Sequence, residues 1–155
     1  MKLYVKQKIF SLGEKFTVKD EFGNDRYFVE GEVFSFPKRF HIYDPFGNEV
    51  LLLQNKIFSF TPTYQIIRNG NIAAEIVKEI SFFRPHYAIY GSPFSVEGDA
   101  FSHDYSILRD GIPVAEISKE WFTWGDSYMV NNFNHEDTEM MLAILIVIDC
   151  VLAQN

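Results

Sequence analysis

Near its end the chain runs Met140-Met141-Leu142-Ala143-Ile144-Leu145-Ile146-Val147-Ile148, nine apolar residues without a break. Asp149 interrupts, and Cys150 to Ala153 resumes. Asn134 offers a helix N-cap. Glu136, Asp137 and Glu139 place negative charge at the helix start, where it complements the dipole. Apolar residues occupy every side of such a helix, so it must be covered on every side, by a protein core or by a membrane. A membrane-spanning helix needs about 20 apolar residues, and this segment is shorter. The reading is a buried core helix, and truncation after Asn134 is expected to destroy the fold. Whatever precedes the helix has to enclose it.

The preceding chain reads as strands. Leu3, Val5 and Ile9 alternate with Tyr4, Lys6, Lys8 and Phe10, a period-2 pattern. Further strands are expected at Lys15–Lys19, Arg26–Phe36, Phe40–Tyr43, Glu49–Phe60 (with a break near Asn55), Tyr64–Arg68 and Ile72–Phe83. Others follow at His86–Tyr90, Phe94–Glu97, Tyr105–Arg109, Val114–Phe122 and Tyr128–Phe133. Pro37 is expected to end the third strand, because proline gives a ladder no N–H. Short, evenly spaced strands with turn signals indicate a barrel or a sandwich. One fully covered helix among many strands favours a barrel closed around it.

Two repeats support that architecture. Arg68–Glu79 and Arg109–Glu120 share seven of twelve positions at an offset of 41. Tyr64 matches Tyr105, Ile66 matches Ile107 and Tyr87 matches Tyr128 at the same offset. The turns at Asp20 and Asp44 share Asp-x-Phe-Gly-Asn at an offset of 24. Such periodicity reports repeated structural units. Ala74 and Ile76, like Ala115 and Ile117, are expected to face the helix, with Glu75 and Glu79, Glu116 and Glu120 on the other face.

At 155 residues the chain is read as a single domain, 1–155. Its composition, 47% hydrophobic and 23% charged, argues against disorder. The net charge of −7 argues against a nucleic-acid partner, since such domains carry basic excess. That charge is uneven: ten Lys and Arg face nine Asp and Glu up to Val77, but four face twelve from Lys78 onward. An anionic partner would meet the first half. A lone cysteine excludes an internal disulfide and a cysteine-based zinc site. Lysines at the N-terminus break any signal-peptide-like stretch, and no Asn-x-Ser/Thr acceptor occurs. A cytoplasmic protein without a transmembrane segment is the simplest expectation.

Several stretches, taken in order, carry a family resemblance. They are Tyr4-Val5-Lys6-Gln7-Lys8-Ile9-Phe10-Ser11-Leu12, the Asp-x-x-Gly turns at Asp20 and Asp44, and Phe58-Ser59-Phe60-Thr61-Pro62-Thr63-Tyr64-Gln65-Ile66. Gly70 through Lys78 and the closing apolar helix complete the series. The chain resembles the LURP-one-related family of tubby C-terminal-like folds over nearly its whole length. The resemblance implies a mainly β (α+β) domain: an antiparallel closed barrel of about 12 strands around a central hydrophobic C-terminal helix. Tubby proteins bind phosphoinositides through basic residues, but none of those residues is matched here position by position. Fold alone does not fix function.

The residues show no enzyme. His41, His86, His103 and His135 make no metal-ligand spacing. Ser102-His103-Asp104 has triad residues in adjacent positions, but neighbours on an extended chain point opposite ways. Cys150 sits in the apolar helix, where a buried thiol is inert. The expectation is a non-enzymatic binding or scaffold module without cofactor or metal. Its first form is peripheral contact with anionic phospholipid through Lys6, Lys8, Lys38 and Arg39, lysines that also suit protection of exposed strand edges. Its second is a protein-interaction module using a strand edge or the aromatic stretch of Trp121 and Trp124. A third class, a small-molecule carrier or enzyme, needs a pocket at a barrel end.

Overall fold

The computed structural model describes residues 1–6, 15–32, 34–80, 85–100, 102–122 and 125–151. Twelve strands make up one antiparallel sheet. In chain order they are β1 (Lys2–Lys6), β2 (Lys15–Asp20), β3 (Asp25–Gly31), β4 (Arg39–Tyr43), β5 (Glu49–Asn55) and β6 (Thr63–Arg68). They continue as β7 (Asn71–Ile80), β8 (Pro85–Tyr90), β9 (Phe94–Asp99), β10 (Asp104–Arg109), β11 (Ile112–Phe122) and β12 (Gly125–Asn132). The sheet runs β8-β7-β6-β5-β4-β3-β2-β1-β12-β11-β10-β9. Pairing of β1 with β12, Leu3 opposite Val130, joins the first strand to the last. The sheet so curls into a nearly closed barrel. Among the described residues no ladder joins β8 to β9, whose connection contains Pro93, a residue with no N–H to give.

Period-2 alternation sorts the side chains. On β4, Phe40 and Ile42 are buried, while Arg39, His41 and Tyr43 face outward and are half-buried. On the repeated strands Ala74, Ile76, Ala115 and Ile117 all point inward with essentially no exposure, as their pattern requires. The matched tyrosines Tyr64, Tyr105, Tyr87 and Tyr128 are also buried. Burial pushes the Tyr64 hydroxyl up to about 12, against a lowering hydrogen bond with Asn55. The repeats extend to backbone detail. Bulges fall between Val18 and Lys19 and between Ile42 and Tyr43, 24 residues apart, near the two Asp-x-Phe-Gly-Asn turns. Others fall between Ile66 and Ile67 and between Ile107 and Leu108, 41 residues apart. Bulges sharpen local twist, which helps a sheet close.

The last segment fills the barrel. Asn134 Oδ1 accepts from the Glu136 N–H at 3.1 Å and caps a 3-10 turn, His135–Asp137. Helix α1 (Thr138–Leu145) follows, and Ile146–Val151 continue it as a π-helix. Met141 to Ile148 have no exposed surface, so the helix is covered around its whole circumference. The side chains of Asp149 and Cys150 lie outside the described residues. Two arginines at equivalent repeat positions tie down the helix start. Arg68 Nη2 donates to Glu139 at 3.0 Å, and Arg109 Nη1 donates to buried Asp137 at 2.5 Å.

Two expected strands are shorter than their composition suggests. The stretch Arg26–Phe36 ends as strand at Gly31, not at Pro37, and Glu49–Phe60 ends at Asn55. In each case the partner runs out. The Glu32 N–H closes onto the Arg39 carbonyl, and the Lys56 N–H closes onto Thr63, at 3.1 and 2.9 Å. Beyond these bonds the chain has no ladder to join, and residues 34–38 and 57–62 form loops.

Candidate functional site

An up-and-down barrel has two ends. One carries the tight turns at 21–24, 44–48 and 69–70; the other carries the loops at 34–38 and 56–62. The turns are built for compactness. Asp44 Oδ1 accepts from the N–H groups of Phe46 and Asn48, each at 2.9 Å, and Asp20 repeats the pattern with Phe22 and Asn24. Bonding to the Asn48 backbone, opposed by desolvation and joined by further bonds, holds the Asp44 carboxyl below its usual range. The turn end of β1–β5 thus gathers Asp20, Glu21, Asp25, Asp44 and Glu49.

At the loop end four of the same five neighbouring strands carry basic residues, while β3 finishes on Glu30 and Gly31, followed by Glu32. Lys6 closes β1, Lys15 opens β2, Arg39 opens β4 after Lys38, and Lys56 follows β5. Lys15 lies 3.6 Å from Glu30 and Lys56 lies 3.2 Å from Glu75. Lys38 is exposed and makes no ion pair among the described residues. Elsewhere at the same end β9 ends on Asp99 and β10 opens on Asp104.

Arg39 differs from its neighbour. Its Nε donates to Gln54 Oε1 at 2.9 Å, its Nη1 lies 3.8 Å from Glu32, and its N–H donates to Ser35 Oγ at 3.2 Å. Beside it, His41 Nε2 meets Glu32 Oε2 at 2.7 Å, Nδ1 meets Glu49, and the ring stacks on Tyr43. Burial of the His41 ring opposes its charge, but the hydrogen bonds and charges of Glu49 and Glu32 prevail and hold its pKa above the ordinary value. This network stiffens the outer face of β4 and β5. Among the described residues no three His, Cys, Asp or Glu side chains form a group able to hold a metal ion.

A model described as LURP-one-related matches residues 1–149. The chain belongs to the LURP-one-related family. A similar relative is the "Uncharacterized protein YxjI" of Bacillus subtilis (strain 168), 33% identical over 153 residues, which are 98% of this chain and 94% of that protein. The X-ray structure of a protein from Arabidopsis thaliana superposes with a TM-score of 0.63. It covers 96% of this chain and 90% of its own at 15% identity, a likeness of fold alone.

The candidate residues fall unevenly on it. The LURP-one-related barrel brings Lys6, Lys38 and Arg39 to the loop end; the Lys6 side chain is outside the described set, and Lys8 lies wholly outside it. Trp121 belongs to β11, opposite Asp126, but its side chain is not described, and Trp124 lies outside the described residues. Ser102 Oγ donates to Asp99 at 2.8 Å while the His103 ring packs on Tyr128. A depression of about 300 Å³ near the turn end is lined by Glu49, Val50, Leu51, Leu52, Ile67, Asn69 and Gly70, with no nucleophile beside a base. No helix among the described residues is long and apolar enough to cross a membrane. Sequence reasoning missed Phe34, Phe36, Phe58 and Phe60 as exposed residues. Their signal was the repeated Phe-Ser-Phe, at the same offset of 24 as the Asp-x-Phe-Gly-Asn turns.

Proposed function

We propose that this LURP-one-related chain is a non-enzymatic binding module that contacts anionic phospholipid at a membrane surface through the loop end of β1–β5. The observation that carries the reading is the group of basic residues at that end, where Lys38 is exposed and makes no ion pair among the described residues, with Asp20, Glu21, Asp25, Asp44 and Glu49 at the opposite end. Such polarity turns one end toward an anionic surface and the other away from it. Each lysine held near such a surface adds about 1 kcal/mol of attraction. The interior, filled by α1, supports surface contact over an enclosed ligand.

Co-sedimentation with phosphatidylserine-containing and pure phosphatidylcholine vesicles tests the reading. Binding is expected to the anionic vesicles alone and to weaken as salt rises. Lys6→Glu, Lys8→Glu and Lys38→Glu together are expected to remove it. Arg39 is left in place, because reversing it would set a carboxylate against Glu32. Unchanged binding by the triple variant refutes the proposal.

A further inference from the structure

Four phenylalanines stand in water at the loop end. Phe34 and Phe36 lie in the β3–β4 loop, Phe58 and Phe60 in the β5–β6 loop, and each is at least 80% exposed. The loops are neighbours, because the Asn55 N–H donates to the Lys38 carbonyl at 2.9 Å across the β4–β5 pair. Each reads Phe-Ser-Phe, and in each the serine is turned to the backbone. Ser35 Oγ accepts from the Arg39 N–H at 3.2 Å. Ser59 Oγ is 2.8 Å from the Thr61 carbonyl and 3.0 Å from that of Lys56, so its single proton has a backbone acceptor on either side. Both loops are therefore pinned at the centre while the flanking rings are held away from the barrel. Phe58 even adopts φ +62, in the left-handed region that favours glycine. A contiguous apolar surface rimmed by polar residues marks an interaction site.

Charge selects the occupant. Phe22 and Phe46 are also exposed at the turn end, but they sit among Asp20, Asp25 and Asp44, which repel anionic headgroups. The Phe-Ser-Phe loops sit beside Lys38 and Lys56 instead. Apolar rings next to lysines match the boundary of an anionic bilayer, where acyl chains meet charged headgroups. We propose that the two Phe-Ser-Phe loops form a duplicated wedge that inserts its phenyl rings into the interfacial layer of an anionic bilayer. This rests on the anionic-phospholipid reading above and adds insertion to attraction. The two respond differently to salt: screening weakens attraction between exposed charges and leaves apolar burial in place.

The test uses the full chain on phosphatidylserine-containing vesicles at about 0.1 M and about 1 M salt, where the screening length falls about threefold. Wild type is expected to stay partly bound at high salt. Phe34→Ser with Phe58→Ser is expected to lower the partition coefficient about a hundredfold, about tenfold for each ring kept in water. Its circular dichroism and melting temperature should match wild type, because both rings face solvent. If wild type binds at low salt and the double variant binds equally well, insertion is overturned while the electrostatic reading stands. Absence of wild-type binding at low salt overturns both. A wild-type dimer that the double variant converts to monomer, with vesicle binding unaltered, assigns the rings to a second copy and also overturns the wedge.

Discussion

Replacing Leu142 by Ala removes buried side-chain atoms from the middle of α1, where the residue has no exposed surface. The cost has two parts, the lost transfer free energy and the cavity left behind. Here the cavity has little means of collapse. The helix is enclosed by strands whose registers are fixed by their ladders, on both sides for all but β8 and β9, and the helix start is tied by Arg68 and Arg109. The loss therefore belongs in the upper part of the range for Leu→Ala, about 4 kcal/mol. Against a total of about 5–15 kcal/mol, that is a large fraction. With a urea slope of about 2 kcal/mol/M, the unfolding midpoint drops by about 2 M. Phe60→Ala is the matched control: it deletes a larger side chain, but one fully in water, and should change stability by less than about 0.5 kcal/mol. Urea titration followed by circular dichroism measures both. A Leu142→Ala cost below about 1.5 kcal/mol, or one no larger than that of Phe60→Ala, would refute a helix enclosed on all sides.

Arg109→Ala leaves the buried Asp137 carboxylate with Asn134 as its remaining side-chain partner, and should cost about 2 kcal/mol in urea unfolding; a cost near zero contradicts the clamp. Gly98 has φ +118, and a Cβ there would lie 2.9 Å from the Tyr105 Cα across the β9–β10 pair. Gly98→Ala should therefore lose at least about 2 kcal/mol, and a neutral melting temperature would count against that approach. His41 has its pKa raised in the folded protein. Its contribution to stability is complete below the unfolded value of about 6.5 and fades as pH climbs through the folded one. His41→Gln should accordingly lower the melting temperature at about pH 6 and much less at about pH 9; an equal loss at both would show that the ring's charge is idle.

The elements legible in the sequence were those with an uninterrupted period. The alternation of β4 and the apolar run of α1 each state one geometry, and the offsets of 41 and 24 carried through to paired turns and bulges. Arg26–Phe36 and Glu49–Phe60 misled because Val and Phe suit a strand by composition, while only the end of the β4 and β6 partners decides where pairing stops. The repeat showed Arg68 and Arg109 as equivalent, but their shared task, holding carboxylates of the final helix, joins residues 71 and 28 positions apart. Lys38 and Arg39 look alike in sequence. Only the cross-strand neighbours Glu32 and Gln54 separate the exposed cation from the engaged one. The π-helical close of the last segment, Ile146–Val151, has no signature in the hydrophobic pattern, which Asp149 alone interrupts.

Hydrogen exchange measured with and without phosphatidylserine-containing vesicles tests the central claim most directly, because it reports which end of the barrel meets the surface. The account predicts slower exchange at 34–38 and 56–60, with the turns at 21–24 and 44–48 unchanged. Protection at those turns, or at neither end while the protein is vesicle-bound, would contradict it.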